Sequence, residues 1–323
     1  MDNLSNNCFT NLTYIMKSIQ KMVLHGGTGQ IGKAIINFYR NKVHEIIVFT
    51  RGVSRNENNV HFLNWDGKSL NQYKDLLEDT DVIINLVGKN VNCRYTEANK
   101  KEIFDSRTDS IKALSEVFKS LNNPPKIWIQ SASATIYRHS EDKPMTEING
   151  EIGEGFSVEV CKKWEGTFNS ETLQFPTLRK VILRTSIVMS KNDGAFPRLK
   201  TMTKFGLGGK QGNGLQMVSW IHDEDVTGII DFIIQNDSIN GIINCTAPTP
   251  LTNIEFMKSL RKSMGIKIGL PASKLLLEIG ALFIGTETEL ILKSRWVIPE
   301  RLNELGYQFK YPTIEKAFKN LTN

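Results

Sequence analysis

The sequence contains few cysteines, and the four that it has do not form a metal-binding pattern. Cys8, Cys93, Cys161 and Cys245 are scattered, with no Cys-x-x-Cys pair and no Cys/His set at zinc-ligand spacing. Zinc sites and disulfide frameworks show such spacing. The cysteine pattern therefore predicts neither a metal site nor a disulfide scaffold, and it is typical of a protein in a reducing compartment such as the cytoplasm.

The sequence also lacks an apolar run of the roughly 18 residues that a membrane span needs. The longest apolar stretch, Leu275–Ile284, is interrupted by Glu278 and suits a buried amphipathic helix. The 40 basic and 34 acidic residues give a formal charge of +6, but they are interleaved along the chain. Nucleic-acid binding usually shows a clustered basic face. We therefore predict neither a membrane nor a nucleic-acid partner.

Residues 1–21 differ in composition from the rest of the chain. They are rich in Asn, Ser and Thr, have no apolar signal core and contain no arginine. We predict a disordered extension, with the folded pattern beginning at Met22. The alternative is a mitochondrial targeting segment, which the missing arginine disfavours.

Short β-rich runs alternate with helical patterns over residues 22–196. This alternation predicts an α/β fold, a Rossmann-type doubly wound parallel sheet. Parts of residues 215–250 are expected to return to this domain. Residues 197–323 open with a glycine-rich loop at Phe205–Gly214 and are mostly helical, which predicts a smaller substrate-side lobe. The predicted strands are Met22–His25, Ile46–Phe49, Val82–Val87, Ile127–Gln130 and Val181–Arg184.

A glycine motif, His25-Gly-Gly-Thr-Gly-Gln-Ile-Gly32, lies between the first predicted strand and a predicted helix. In a Rossmann domain the first glycine (Gly26) permits a tight turn and the second (Gly29) lets the backbone approach a pyrophosphate. The third (Gly32) allows close packing of helix and sheet. The helix N-terminus then offers N–H groups to the phosphates. The motif predicts a dinucleotide site, and the alternative is a plain glycine turn.

The end of the second predicted strand indicates which dinucleotide binds. NAD sites usually carry an acidic residue there for the ribose hydroxyls, whereas NADP sites carry a basic one. This chain has Thr50-Arg51 and no acidic residue before Glu57. Arg51 can bind a 2′-phosphate through two hydrogen bonds, and Thr50 can add a hydroxyl. The pattern favours NADP(H), and the alternative reading of Arg51 is a solvated surface residue.

Further short motifs follow one another in a fixed order. They are Asn64-Trp-Asp66, Asn85-Leu-Val-Gly88, Ser106-Arg107, Ser131-Ala-Ser-Ala-Thr-Ile-Tyr137, Trp164-Glu165, Leu183-Arg-Thr185, Gly206-Leu-Gly-Gly209, Ser219-Trp-Ile-His-Asp223, Val297-Ile-Pro-Glu-Arg301 and Gly306-Tyr-Gln-Phe309. With the glycine motif, this set resembles the extended short-chain dehydrogenase/reductase superfamily. Within it, the chain is similar to the atypical branch of epimerase family proteins (short-chain dehydrogenase/reductase 39U-like) from Met22 to the C-terminus.

The resemblance implies a cofactor site along the ends of the strands. Asp66 would lie beside the adenine, and Ser131 to Ser133 would lie under the nicotinamide. Arg107 is assigned to the same site, although with Arg94 it could instead bind an acidic substrate group or form a surface salt bridge. The full set of implied cofactor residues is Gly26, Thr28, Gly29, Gln30, Ile31, Gly32, Thr50, Arg51, Asp66, Leu86, Val87, Gly88, Lys89, Arg107 and Ser131.

The chain departs from the superfamily at the catalytic pair. The superfamily uses Tyr-x-x-x-Lys, in which the lysine lowers the tyrosine pKa for proton transfer. Counting back from Trp164-Glu165 places Ser157 and Cys161 at these two positions. Neither side chain replaces its counterpart, because serine is a weak acid and cysteine carries no positive charge. Lys162 and Lys163 are turned away by the helical rotation.

Other side chains could supply the missing chemistry. By the resemblance, Ser133 orients the substrate oxygen. Tyr137, His222 and Cys161 are substitute proton donors, and each has a structural alternative: packing, ordering of a loop, or burial as a small apolar residue. We expect an NADP(H)-dependent oxidoreductase or epimerase-like enzyme acting on a small polar substrate, and a homodimer is compatible with the sequence. The alternative is a catalytically inactive NADP-binding regulatory or scaffold protein.

Overall fold

One eight-stranded sheet organises the computed structural model, which describes residues 17–274, 277–278 and 289–323. Its strands are β1 (Ile19–His25), β2 (Val43–Thr50), β3 (Arg55–Glu57), β4 (Val60–Asn64), β5 (Val82–Asn85), β6 (Ile127–Ser133), β7 (Arg179–Thr185) and β11 (Gly241–Cys245). Their order across the sheet is β11-β7-β6-β5-β1-β2-β4-β3. All neighbouring pairs are parallel except β3 and β4, which pair antiparallel at one edge.

Helices cover both faces of this sheet. In the described residues they are α1 (Gln30–Tyr39), α2 (Lys74–Leu77), α3 (Glu97–Phe118), α4 (Phe156–Thr172), α5 (Phe196–Lys204), α6 (Asp223–Gln235), α7 (Asn253–Ser263), α8 (Glu289–Leu292), α9 (Glu300–Glu304) and α10 (Ile314–Thr322). Two short 3-10 turns lie at Asn71–Tyr73 and Ala134–Ile136. This arrangement confirms the predicted doubly wound α/β class.

The period-two alternation of side chains along the strands separates two cores. On β1, Met22 and Leu24 join the core under α1 and α6, whereas Val23 joins the core under α3 and α4. Strands buried on both faces carry nearly continuous apolar runs, which explains why these segments are so apolar. Trp128 on β6 anchors the second core, since it is fully buried.

The first strand begins earlier than the sequence pattern predicts. β1 starts at Ile19 rather than Met22, and Ile19 is buried opposite Val43. The carboxylate of Asp81 accepts hydrogen bonds from the backbone N–H groups of Gln20 and Lys21. The folded region therefore includes part of the predicted extension. Residues 1–16, on which the remaining expectation falls, lie outside the described residues, as does most of Leu275–Ile284.

A second, smaller layer is formed mainly by later segments. Its strands are β8 (Ile187–Met189) with β10 (Trp220–His222), and β9 (Met217–Val218) with β12 (Leu251–Thr252). Phe196, Phe256 and Phe318 pack together in its core. The chain also returns to the main sheet: β11 pairs with β7, and α6 and Leu302 pack in the core on one face of the sheet.

The described part of the chain contains no helix that is both long and apolar enough to cross a membrane. Within that same part, no group of three or more His, Cys, Asp and Glu side chains is arranged to hold a metal ion.

Candidate functional site: a crevice at the ends of the parallel strands

The strand order reverses between β1 and β5. After β1 the chain turns into α1 on one face, and after β5 it leads to α3 on the other face. The two loops diverge there and leave a crevice outside the carboxyl ends of the strands. In doubly wound sheets this reversal is where ligands bind. The predicted glycine motif lies at this place.

Two of the three motif glycines are required by close backbone contacts. Gly26 has φ +83, and a Cβ there would lie 2.8 Å from Val87 Cγ2. A Cβ on Gly32 would lie 2.1 Å from the carbonyl oxygen of Gly27, a contact that no side chain can tolerate. The contact of Gly26 with Val87 joins the loop after β1 to the loop after β5, whereas the contact of Gly32 with Gly27 packs the start of α1 against its own loop.

The middle glycine faces open space. A Cβ on Gly29 would meet no atom within 4 Å. Gly29 is the N-cap of α1, it supplies no capping side chain, and the first turn contains no acidic residue. The N–H groups and the positive dipole end of α1 are therefore available to an anion. Of the neighbouring predicted residues, Thr28 is exposed while Gln30 and Ile31 are partly buried.

The loop after β2 presents Arg51 to solvent. Asn64 Nδ2 donates to the carbonyl oxygens of Arg51 and Gly52, which fixes the backbone of this loop. Thr50 Oγ1 lies 3.4 Å from Thr28 Oγ1 and accepts the N–H of Gly52. Hydrogen bonds and ion pairs to the Arg51 guanidinium are absent within the described residues.

Arg55, a nearby arginine, differs from Arg51 in having partners for its guanidinium. Arg55 pairs with Glu57 at 2.8 Å and stacks on the ring of Phe62. Its charge is therefore already engaged, whereas that of Arg51 is available. Asp66, implied near the adenine, is exposed and accepts the N–H of Lys68.

Asn85 holds the segment after β5. Its Oδ1 accepts the N–H of Val87, while its Nδ2 donates to Gln130 and Ser110. Leu86 is tied to β1 through the carbonyl of His25. Sequence motifs indicated Leu86, Val87 and Gly88, but the positioning role of the buried Asn85 side chain becomes visible only in three dimensions.

His25 is buried at the end of β1 against Trp65, with ring centroids 4.1 Å apart. Burial lowers the pKa of His25 to about 3, although Asn85 opposes the shift. The ring is therefore neutral at physiological pH and forms part of the apolar support beneath the glycine loop.

Arg107 is a buried residue, so the alternative of a surface salt bridge is wrong. It is 8% exposed, stacks over Trp164 and packs against Gly88. Its Nη1 and Nη2 donate to the carbonyls of Ile103 and Lys89. Lys89 itself is fixed by Ser106 Oγ through its N–H and pairs with Glu102.

Ser133 ends β6 beside the crevice, and Ser131 is likewise partly exposed on this strand. Ser133 Oγ donates to Thr135 Oγ1 at 3.0 Å and accepts the N–H of Thr135. The hydroxyl is ordered by this turn and remains partly exposed. It is therefore placed where a ligand oxygen could contact it.

Tyr137 lies in the core, which corrects its assignment as a catalytic residue. It is 1% exposed, and its hydroxyl donates to Asn244 Oδ1 and accepts from Arg184 Nη1, both at 2.9 Å. Arg184 in turn forms two hydrogen bonds with Glu165, at 2.9 and 2.7 Å. Burial raises the pKa of Tyr137, and Arg184 opposes this only in part. We assign this hydroxyl to a structural network.

The other two substitute donors also have structural roles. His222 caps α6 by accepting the N–H of Glu224, and it stacks on Tyr311 with Nε2 3.1 Å from Asn320 Oδ1. Cys161 is buried among apolar side chains, and burial raises the pKa of its thiol to about 12.

The positions of the missing catalytic pair form a small polar cluster. Ser157 Oγ donates to Glu289 Oε2 at 3.2 Å and lies 3.5 Å from the hydroxyl of Tyr95. No sequence pattern singled out Tyr95 or Glu289, because both reach Ser157 from distant parts of the chain. Lys162 and Lys163 are exposed, and Lys162 pairs with Glu159.

The strand order, the crevice and the glycine loop define a Rossmann-type nucleotide-binding fold of the short-chain dehydrogenase/reductase class. The model of the NAD dependent epimerase/dehydratase family matches residues 22–154, and that of a domain of unknown function (DUF1731) matches residues 274–321. An epimerase family protein of Staphylococcus aureus (strain N315) is 31% identical over 94% of this chain and 99% of its own. The chain belongs to the epimerase family.

Solved structures agree with this assignment. Human epimerase family protein SDR39U1 (isoform 2), solved with NADPH, is 26% identical and has a TM-score of 0.82 over 94% of this chain and 99% of its own. A nucleoside-diphosphate sugar epimerase from Corynebacterium glutamicum is 27% identical, with a TM-score of 0.73 over 94% of this chain and 58% of its own.

Replacing Gly32 with alanine tests the close contact in the glycine loop. We expect Gly32→Ala to lower the free energy of unfolding by about 1–3 kcal/mol, the range for overpacking, because the methyl group meets backbone atoms. Gly29→Ala is the matched control and should change stability by less, since its methyl group meets no protein atom. Urea unfolding of the three proteins measures this, and equal losses would contradict the geometry.

The buried pair of Arg184 and Glu165 gives a second prediction. We expect Glu165→Gln to cost about 3 kcal/mol of stability, because it leaves a buried guanidinium without its counter-charge. Glu159→Gln, on the same helix but in an exposed pair with Lys162, should cost less than about 1 kcal/mol. Denaturant unfolding compares them, and a similar small effect for both variants would mean that the buried pair does not stabilise the fold.

Proposed function

We propose that the protein is an NADP(H)-dependent oxidoreductase or epimerase-like enzyme acting on a small polar substrate. The observation that carries the proposal is the glycine loop at the β1/β5 crevice, with an uncapped and acid-free α1 N-terminus behind Gly29. NADPH in the human relative supports the same cofactor. When bound, NADP(H) supplies hydride transfer, while the protein supplies binding and orientation.

The residues fit this cofactor. The backbone of Gly26–Gly32 and the N-terminus of α1 would hold the pyrophosphate. Arg51, which lacks an intramolecular partner in the described chain, would bind the 2′-phosphate with Thr50 beside it. Asp66 would lie at the adenine end and Leu86–Gly88 along the cofactor. The proposed cofactor site also includes Lys89, Arg107 and Ser131, which would lie toward the substrate side.

Ser133 is the residue proposed to orient the substrate. Its hydroxyl is held by Thr135 and is partly exposed at the end of β6, so it can hydrogen-bond a carbonyl or hydroxyl oxygen. Fixing that oxygen lowers the entropic cost of reaction without requiring Ser133 to ionise. This role is compatible with a serine, whereas general acid catalysis by an unassisted serine is not.

A second candidate function is a cofactor-binding regulatory or scaffold protein without catalysis. The observation that favours it is the environment of Cys161, which occupies the lysine position of the superfamily pair. Its thiol is buried and neutral, so it cannot supply the positive charge that assists a proton donor. Retention of Ser133 in an ordered turn favours the enzyme.

Cofactor selectivity tests the role of Arg51. We expect Arg51→Ala to weaken NADPH binding by about 1.5–3 kcal/mol, the range for hydrogen bonds to a charged group, and to leave NADH binding nearly unchanged. Fluorescence titration measures both affinities. Arg55→Ala is the matched control, because Arg55 is already engaged with Glu57 and Phe62, and it should bind NADPH like the wild type. Equal losses for both cofactors would remove Arg51 from the 2′-phosphate site.

Turnover separates the two candidate functions. With NADPH and a panel of small carbonyl compounds, we expect loss of nicotinamide absorbance that Ser133→Ala reduces strongly at unchanged NADPH affinity. The variant Tyr137→Phe should turn over substrate like the wild type at temperatures below its own melting temperature. It should be less stable, because Arg184 and Asn244 each lose a hydrogen-bond partner. Tight NADPH binding without turnover across the panel would support the scaffold function instead.

A further inference from the structure

Two arginines near the positions of the missing catalytic pair are buried without a close carboxylate partner among the described residues. Arg107 lies on α3 and is 8% exposed, and the side chain of Arg295 is 13% exposed. Arg295 is held by its backbone, since its N–H donates to the carbonyl of Met217 and its own carbonyl accepts from Ser219 Oγ. The fold thus fixes the backbone of Arg295, and it fixes the guanidinium of Arg107 through the carbonyls of Ile103 and Lys89.

The hydrogen bonding of these two guanidinium groups is incomplete. Arg107 Nε, Arg295 Nη1 and the indole Nε1 of Trp164, on which Arg107 stacks, are buried and have no partner in the described residues. These three groups can only donate hydrogen bonds. Buried polar groups are nearly always satisfied, and each exception needs an explanation. Here the missing group must be an acceptor.

The local charges are also unbalanced. Among the described residues, the carboxylate that contacts Arg295 is that of Glu289, 4.0 Å away, and Glu289 is closer to Lys293, at 3.3 Å. Arg107 has no carboxylate within ion-pair distance in the part of the chain that the structure describes. Arg184, by contrast, is equally buried and forms a two-bond pair with Glu165. The fold can therefore neutralise a buried arginine with a close carboxylate, whereas among the described residues Arg107 has no carboxylate partner and Arg295 has only the 4.0 Å contact with Glu289.

Both arginines contact groups beside the positions of the missing catalytic pair. Arg295 lies 4.0 Å from Glu289, which accepts a hydrogen bond from Ser157, and Arg107 stacks on Trp164 of the same helix. Ser157, which shares the polar cluster with Tyr95, is one helical turn from Cys161. Arg107 also packs against Gly88 of the proposed cofactor segment. Arg107 therefore connects the proposed cofactor segment with the helix that carries the positions of the missing pair.

We propose that Arg107 and Arg295 form a binding site for an oxyanion group, a carboxylate or a phosphate, carried by the substrate. This assignment rests on the proposed function and specifies its substrate class as acidic. A guanidinium matches either oxyanion through a planar pair of hydrogen bonds. The oxyanion supplies both the missing acceptors and the missing negative charge.

Direct binding tests the site independently of turnover. Calorimetric titrations of inorganic phosphate and pyruvate are made on the full chain at low ionic strength, with and without NADPH. We expect at least one anion to bind saturably, and methyl pyruvate, which lacks the charge, to bind much more weakly. Arg107→Met and Arg295→Met should each weaken anion binding about tenfold or more. Arg55→Met, an exposed arginine with its own partners, should bind like the wild type.

Stability gives a second readout, because an unpaired buried charge costs free energy in the ligand-free protein. We expect ligand-free Arg295→Met to melt at the same temperature as the wild type or higher, and saturating anion to raise the wild-type melting temperature but not that of the variant. A merely structural arginine would give the opposite result.

The proposal is overturned if neither anion binds saturably, if methyl pyruvate binds as well as pyruvate, or if both variants lose stability while retaining anion affinity. Binding of phosphate alone or of pyruvate alone supports the site and distinguishes the two substrate types. Failure to bind NADPH would overturn the proposed function and not this site, since anion binding is also measured without the cofactor.

Discussion

The close approach of two loops at the end of the sheet determines the geometry of the whole site. Gly26 and Val87 lie so near each other that no side chain fits on the glycine, and this contact links the loop after β1 to the loop after β5. The contacts continue from there: Gly88 packs against Arg107, and Arg107 stacks on Trp164 of α4. A single continuous series of contacts thus connects the phosphate end of the crevice with the substrate side.

Structural features that depend on residues adjacent in the sequence could be predicted from the sequence. The strands, the glycine loop and the parallel sheet follow from short apolar runs and from glycine spacing, which are local signals. β1 begins before the predicted start at Met22, because the polar residues Gln20 and Lys21 interrupt the apolar pattern and Ile19 pairs with Val43 of β2. A local pattern cannot show what a neighbouring strand covers.

The roles of individual polar side chains could not be predicted, because they depend on contacts between distant segments. Tyr137 has the residue type of a proton donor, but Asn244 and Arg184 bury its hydroxyl from 107 and 47 positions away. Arginine is usually a surface residue, yet Arg107 is buried because Trp164 of α4 covers it. Glu289 and Tyr95 join Ser157 only in the folded chain. Sequence motifs therefore located the crevice but did not assign its chemistry.

The buried arginines differ in how completely they are paired, and this difference shows where the fold is less stable than it could be. Arg184 is fully paired, which suits a residue that supports the core, whereas Arg107 and Arg295 keep unused donors beside the crevice. Unpaired buried charges persist in proteins mainly where they serve binding or catalysis, since elsewhere they only destabilise the fold. The positions of the missing Tyr/Lys pair lie on α4, where Arg107 stacks on Trp164 and where Ser157 donates to Glu289, the carboxylate 4.0 Å from Arg295. A site that lacks the proton-transfer pair but carries positive charge is suited to a substrate that brings its own negative charge, and the guanidinium groups supply positive charge close to the position where the superfamily has a lysine.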